Sequence, residues 1–114
     1  MVTLSNRVHL FARPAVREKL TEFFVTFLGC DATLVPGTSI LLVRFPNTAL
    51  TVDFTPDAPD EQQAHRGAWL ELKPDDPAAL KRKVLAAGLS QVSYPTGRFY
   101  FQSPGGQVWG IAET

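Results

Sequence analysis

Arg98-Phe99-Tyr100-Phe101-Gln102-Ser103-Pro104-Gly105-Gly106-Gln107-Val108-Trp109-Gly110-Ile111-Ala112-Glu113 reads as a strand, a tight turn and a second strand. Pro104 presets its own φ, and Gly105 and Gly106 admit positive φ without a Cβ penalty. A Ser-Pro-Gly-Gly run between two extended segments is therefore a hairpin signal with a physical cause.

Working outward from this hairpin, the second half of the chain begins with a strand at 68–72. Asp76 then caps a helix with Pro77 at its first position, and Leu80, Val84 and Leu85 supply an apolar face. Gly88 stops it, and strands are expected at 90–94, 98–102 and 107–113. The first half has the same order. A strand at 8–12 precedes a helix from Pro14 on which Leu20, Phe23, Phe24, Phe27 and Leu28 have the spacing of a buried stripe. Gly29 ends that helix, a weaker extended segment lies at 33–35, and strands at 40–45 and 49–54 flank Pro46-Asn47-Thr48. The polar, proline-bearing stretch between the halves reads as a linker. Each half is a βαβββ unit too small to be stable alone, so pairing is expected to bury both sheets and both helices.

The bulk properties exclude several function classes. A chain of 114 residues fits one compact domain, and a formal net charge of zero with no basic stripe removes the electrostatic footprint of a nucleic-acid binder. The longest aliphatic run, Ile40-Leu41-Leu42-Val43, is far too short to span a bilayer, so no membrane association is expected. Residues 1–7 lack the apolar core of a signal peptide, and Cys30 has no partner for an intrachain disulfide. A cytoplasmic protein is the expectation, with Cys30 a small filler near a helix end. No Ser-His-Asp or Cys-His set, phosphate-cradling glycine loop or zinc-finger spacing is present.

The strand followed by a Phe-rich helix ending Leu28-Gly29, the run Leu70-Glu71-Leu72-Lys73-Pro74-Asp75-Asp76-Pro77 leading to Ala86-Ala87-Gly88, and the closing hairpin together resemble the vicinal oxygen chelate superfamily, the glyoxalase and bleomycin-resistance group. The resemblance implies an α+β fold of two tandem βαβββ modules forming a half-barrel with a cleft. Module one would span 6–56, a linker 57–66 and module two 67–114 of a single domain. A plain ferredoxin-like α+β domain is the alternative. The resemblance also implies a homodimer, with clefts within each chain or shared across the two-fold axis.

In that superfamily the closing turn is usually Asp-Pro-Asp-Gly, with a metal-binding Glu shortly after it, and the other ligands come from the first and last strands of each module. His9 falls on the first ligand position, with Arg7 on the same face if the alignment slides, and Asp53 stands where Glu is frequent. Strand parity agrees. With Val8, Leu10, Ala12, Leu50, Val52 and Phe54 toward the helix, His9, Phe11, Thr51 and Asp53 point to the opposite face. Module two departs from the pattern, with Trp69 at the usual His position and Gly110 at the usual Glu position. Glu113 points the other way in a regular strand. Glu71, sharing a face with Trp69, is the one replacement ligand available.

His9, Asp53 and Glu71 are thus weak metal candidates, and no cofactor is expected, a divalent metal being the minority reading. The leading expectation is a metal-independent binder of a small, partly aromatic or hydrophobic molecule, using His9, Phe11, Asp53, Trp69, Glu71, Arg98 and Tyr100. Trp109 belongs on the helix side, Arg44 and Arg98 can meet an anionic group, and His65 reads as a solvated surface residue. The alternatives are a metal-dependent lyase, isomerase or dioxygenase using His9 and Asp53, and a degenerate module serving dimerisation or regulation.

Overall fold

A computed structural model describes residues 1–113 of the chain. The chain divides into two compact units, Met1–Pro59 and a second from Asp60 onward. The first runs β1 (Val8–Ala12), a helical segment, β2 (Asp31–Leu34), β3 (Ile40–Arg44) and β4 (Ala49–Phe54). Its four strands lie in the order β1-β4-β3-β2, with β1 parallel to β4 and the other neighbours antiparallel. The second unit runs α2 (Glu61–His65), β5 (Leu70–Leu72), α3 (Pro77–Ala86), β6 (Gln91–Val92), β7 (Tyr100–Gln102) and β8 (Val108–Ile111). Its sheet repeats the pattern as β5-β8-β7-β6, with β5 parallel to β8. The expected α+β class and the two tandem βαβββ modules are both present.

The helix expected from Pro14 is built of three kinds of turn. A 3₁₀ turn at Pro14–Val16 leads into α1 (Arg17–Glu22), which widens to a π-helical turn at Phe23–Phe27. The Leu28 N–H reaches back five residues to the Phe23 carbonyl at 3.0 Å, and the Phe23 and Phe27 rings stack with centroids 5.3 Å apart. Gly29 at φ 77° then turns the chain out of the helix. α3 follows its sequence signals at both ends. The Asp76 side chain accepts from the Ala79 N–H at 3.0 Å, with Pro77 at the first position. At the other end Leu89 N–H bonds the Val84 carbonyl and Gly88 N–H the Leu85 carbonyl, the paired bonds of a Schellman motif, with Gly88 at φ 71°.

Strand parity holds along β4, whereas all four residues of β8 are buried. Leu50, Val52 and Phe54 on β4 are buried with Leu41, Val43, Leu20, Phe23 and Phe24. In the second unit Val84 of α3 is buried with Phe99, Phe101, Trp109 and Ile111. Fully burying one such side chain contributes roughly 1.5–3 kcal/mol. Trp109, placed on the helix side by parity, is 2% exposed and donates its indole N–H to the Ser103 hydroxyl at 2.9 Å.

Several element boundaries differ from the sequence reading. The strand expected at 90–94 is two residues long, and β7 begins at Tyr100 because Pro95 has no N–H to donate and Gly97, at φ 76°, closes a turn onto the Tyr94 carbonyl at 3.2 Å. Trp69 precedes β5 instead of lying inside it. The unit boundary falls between Pro59 and Asp60, within the stretch read as a linker. Its second part is α2, closed by a capping box in which Gln63 N–H bonds Asp60 Oδ1 and Asp60 N–H bonds Gln63 Oε1, each at 2.8 Å. No described helix is long and apolar enough to cross a membrane.

Candidate functional site

The sequence-predicted site residues form two groups, one in each unit. On the first sheet, parallel pairing of β1 with β4 sets His9 beside Thr51 and Phe11 beside Asp53, on the face away from the buried core. Nδ1 of His9 shares a hydrogen bond with the Thr51 hydroxyl. The Ser39 hydroxyl donates to Asp53 Oδ1 at 2.6 Å. Phe11 is 54% exposed, and the His9 ring meets it edge-on with centroids 4.9 Å apart. This face is polar and hydrogen-bonded, with one exposed aromatic ring.

On the second sheet, β7, β8 and β5 place Tyr100, Gly110 and Glu71 in one row across the sheet. Because Gly110 has no side chain, the Tyr100 ring lies over it. A Cβ there would fall 2.8 Å from Tyr100 Cε1. Trp69 packs beside that ring at 4.9 Å and beside Tyr94 at 5.0 Å, and the two tyrosine rings are 6.0 Å apart. The Trp69 indole N–H is spent on the His65 carbonyl at 2.8 Å, closing the end of α2, and the His65 ring abuts the indole at 5.7 Å. One side of this aromatic layer remains accessible, since Tyr94 is 50% exposed.

An ion pair adjoins the aromatic layer. Arg98 Nη1 donates to Glu71 Oε2 at 2.7 Å, both side chains being half-exposed or more. The pair borders a depression of about 490 Å³ lined also by Lys73, Thr96 and Glu113. A larger depression of about 790 Å³ lies on the first unit against α1, between residues such as Arg17, Val25 and Leu34, and it contains none of the predicted site residues.

α2 and the closing hairpin hold this face in shape. The Gln102 amide donates to the Glu61 and Gly106 carbonyls at 3.0 and 2.9 Å, and the Gln107 amide donates to the Ala68 carbonyl at 2.7 Å. Gly106, at φ 101°, sits so close to α2 that a Cβ would come within 2.7 Å of Glu61 Cα.

Sequence reasoning did not single out Tyr94 or Ser39, whereas Thr51 lies on the face with His9 on which strand parity places it. Tyr94 comes beside Tyr100 because Val92 pairs with Tyr100, a register that only the folded sheet sets. His65 is exposed, as a surface residue should be, and one edge of its ring also meets Trp69.

No family model matches the chain, and no curated protein sequence matches it either. Its fold does match solved structures. A candidate glyoxalase family protein from Bacillus anthracis superposes with a TM-score of 0.75 over 97% of this chain and 94% of its own, at 13% identity. A possible glyoxalase from Bacillus cereus gives 0.73 over 98% and 100%, also at 13% identity. The fosfomycin resistance protein FosX from Mesorhizobium loti gives 0.70 over 97% and 91%, at 11% identity. The chain has the vicinal oxygen chelate fold. Identities this low carry the fold alone.

The metal that a vicinal oxygen chelate fold implies can be tested against the donors present. Of the implied ligand positions, His9 and Asp53 already bond Thr51 and Ser39, Trp69 offers only an N–H donor, and Gly110 offers no side chain. Glu71 is paired with Arg98. Among the described residues no three His, Cys, Asp or Glu side chains converge as metal ligands do. Among the described residues, the side chains at those positions do not form a donor set that fits a divalent metal of that kind.

Proposed function

We propose that this protein binds a small, partly aromatic molecule without a metal, on the second unit's Trp69–Tyr94–Tyr100 face. The observation that carries the reading is the substitution at Gly110. Where the resemblance implies a carboxylate, an aromatic ring occupies the space, with two further rings beside it. Aromatic faces with a flanking charged pair suit a flat, apolar ligand body with a polar end. The sheet supplies rigidity, since Tyr100 sits on a central strand and Trp69 is tied to α2 by its indole hydrogen bond. Glyoxalase-like and fosfomycin-resistance neighbours support the scaffold, not the ligand.

The test uses the chain's two tryptophans, each of which gives one indole N–H resonance. Titration with 1-naphthol in EDTA should shift the Trp69 resonance saturably and leave that of buried Trp109 in place. A Trp69 resonance unmoved at millimolar probe, or a shift that requires added divalent metal, refutes the reading.

A further inference from the structure

The charges beside the aromatic layer narrow the ligand class further. Glu71 shares a row across the sheet with Gly110 and Tyr100, and the Tyr100 ring lies over Gly110, so the Arg98–Glu71 pair stands at the edge of the aromatic layer. The depression next to them is lined by two bases, Lys73 and Arg98, and two acids, Glu71 and Glu113. An anionic head placed on Arg98 meets the Glu71 carboxylate, whose oxygen is 2.7 Å from the guanidinium. A cationic head placed on Glu71 meets Arg98 in the same way. In either case repulsion offsets part of the new attraction, because the like-charged partner lies just beyond the opposite one. A head carrying both charges, set antiparallel to the Arg98–Glu71 dipole, meets each with its opposite.

We infer that the second unit binds an aromatic zwitterion, an aromatic amino acid or a close derivative, with its ring on Trp69 and Tyr100 and its ammonium and carboxylate on Glu71 and Arg98. This rests on the aromatic-binding reading above and adds the chemistry of the polar end. The pair is solvated, so each new charge contact is worth no more than an exposed ion pair. That sets the expected discrimination at about two- to fivefold.

The experiment compares phenylalanine, 3-phenylpropionate and phenethylamine, probes that share a ring and differ in head charge, by titration at fixed ionic strength with 1-naphthol as the uncharged reference. Phenylalanine should bind about two- to fivefold tighter than either singly charged probe, and the margin should shrink as salt is raised. Glu71→Gln should move the preference to 3-phenylpropionate, and Arg98→Gln to phenethylamine. Both side chains are half-exposed or more, so these variants should melt close to the parent. Equal binding of the three probes, or tightest binding of a singly charged one by the unmodified chain, overturns the inference. If 1-naphthol still binds in that case, the aromatic reading stands alone. If neither 1-naphthol nor any charged probe shifts Trp69, both fall together.

Discussion

The two units share a strand order and a parallel edge pairing, but the sheet faces opposite their cores differ chemically. On the first, His9, Thr51, Ser39 and Asp53 form hydrogen bonds in two pairs, and Phe11 stands half in solvent. On the second, Tyr100 packs over Gly110 with Trp69 and Tyr94 beside it, and charged side chains, the Arg98–Glu71 pair among them, stand at its border. Identical topology thus carries a polar face in one unit and an aromatic one in the other. The difference lies in few positions. A glycine on β8 lets a neighbouring ring fold across the sheet, and a tryptophan before β5 fills the adjoining space. The backbone pairing supplies positions; the side chains decide whether these hold polar groups or rings.

The largest expected contrast concerns turns. Gly106→Ala places a Cβ against α2 at a strongly positive φ, whereas Gly37→Ala, at φ 75° with open space around it, meets only the conformational penalty. Urea denaturation should show a loss of about 3 kcal/mol for the former and about 1 kcal/mol for the latter. Equal losses would mean that α2 does not hold the closing hairpin.

The aromatic faces come next. Trp69→Ala removes a packed ring and the donor that closes α2, for an expected cost of about 2–3 kcal/mol. Phe11→Ala, on an exposed ring of the first unit, should cost less than about 1 kcal/mol. If the two were reversed, the packed face would be the first and not the second.

A double-mutant cycle sharpens the point at Gly110. Gly110→Ala alone should destabilise by about 1–2 kcal/mol by pushing the Tyr100 ring aside, and much of this should vanish in a Tyr100→Ala background. A coupling energy near zero would show that the ring yields freely and does not exclude a side chain there. Arg98→Ala should change stability by less than about 1 kcal/mol, as expected of an exposed pair, which leaves binding as its main readout.

The smallest effect concerns Cys30. Partial burial raises its thiol pKa above the ordinary value by desolvating the thiolate. The folded chain therefore holds that proton at pH values where an unfolded one releases it. Alkylation by iodoacetamide should be slower than for a free thiol at the same pH. Any stability linked to this group is intact below the ordinary thiol pKa and falls as pH rises toward the folded value.

Much of the fold was legible because its signals are local. Asp76-Pro77 with Gly88, and Ser103-Pro104-Gly105-Gly106, work through their own φ angles and nearby N–H groups, and each does in the structure what its chemistry dictates. α2 was equally legible, since Asp60 and Gln63 have capping-box spacing, but the prolines around it favoured a linker reading. The site was legible only in part. Parity placed His9, Phe11 and Asp53 on one face, yet the bonds to Thr51 and Ser39 depend on which strand lies next to which. The π-helical turn at Phe23–Phe27 had no signal in the spacing of its apolar residues, which suits an α-helix as well.

The sequence by itself determined the order of elements, the capped helix ends, the hairpin turn and the absence of ligating side chains at two of the four implied ligand positions, Trp69 and Gly110, because these depend on residue type and short-range geometry. Tertiary structure decided what fills the space those ligands leave. Tyr100 covers Gly110, and Arg98 meets Glu71 across 27 positions of sequence, only because β5, β8 and β7 pair in one register. Contacts between residues far apart in the chain follow from how strands align, and no local pattern encodes that alignment.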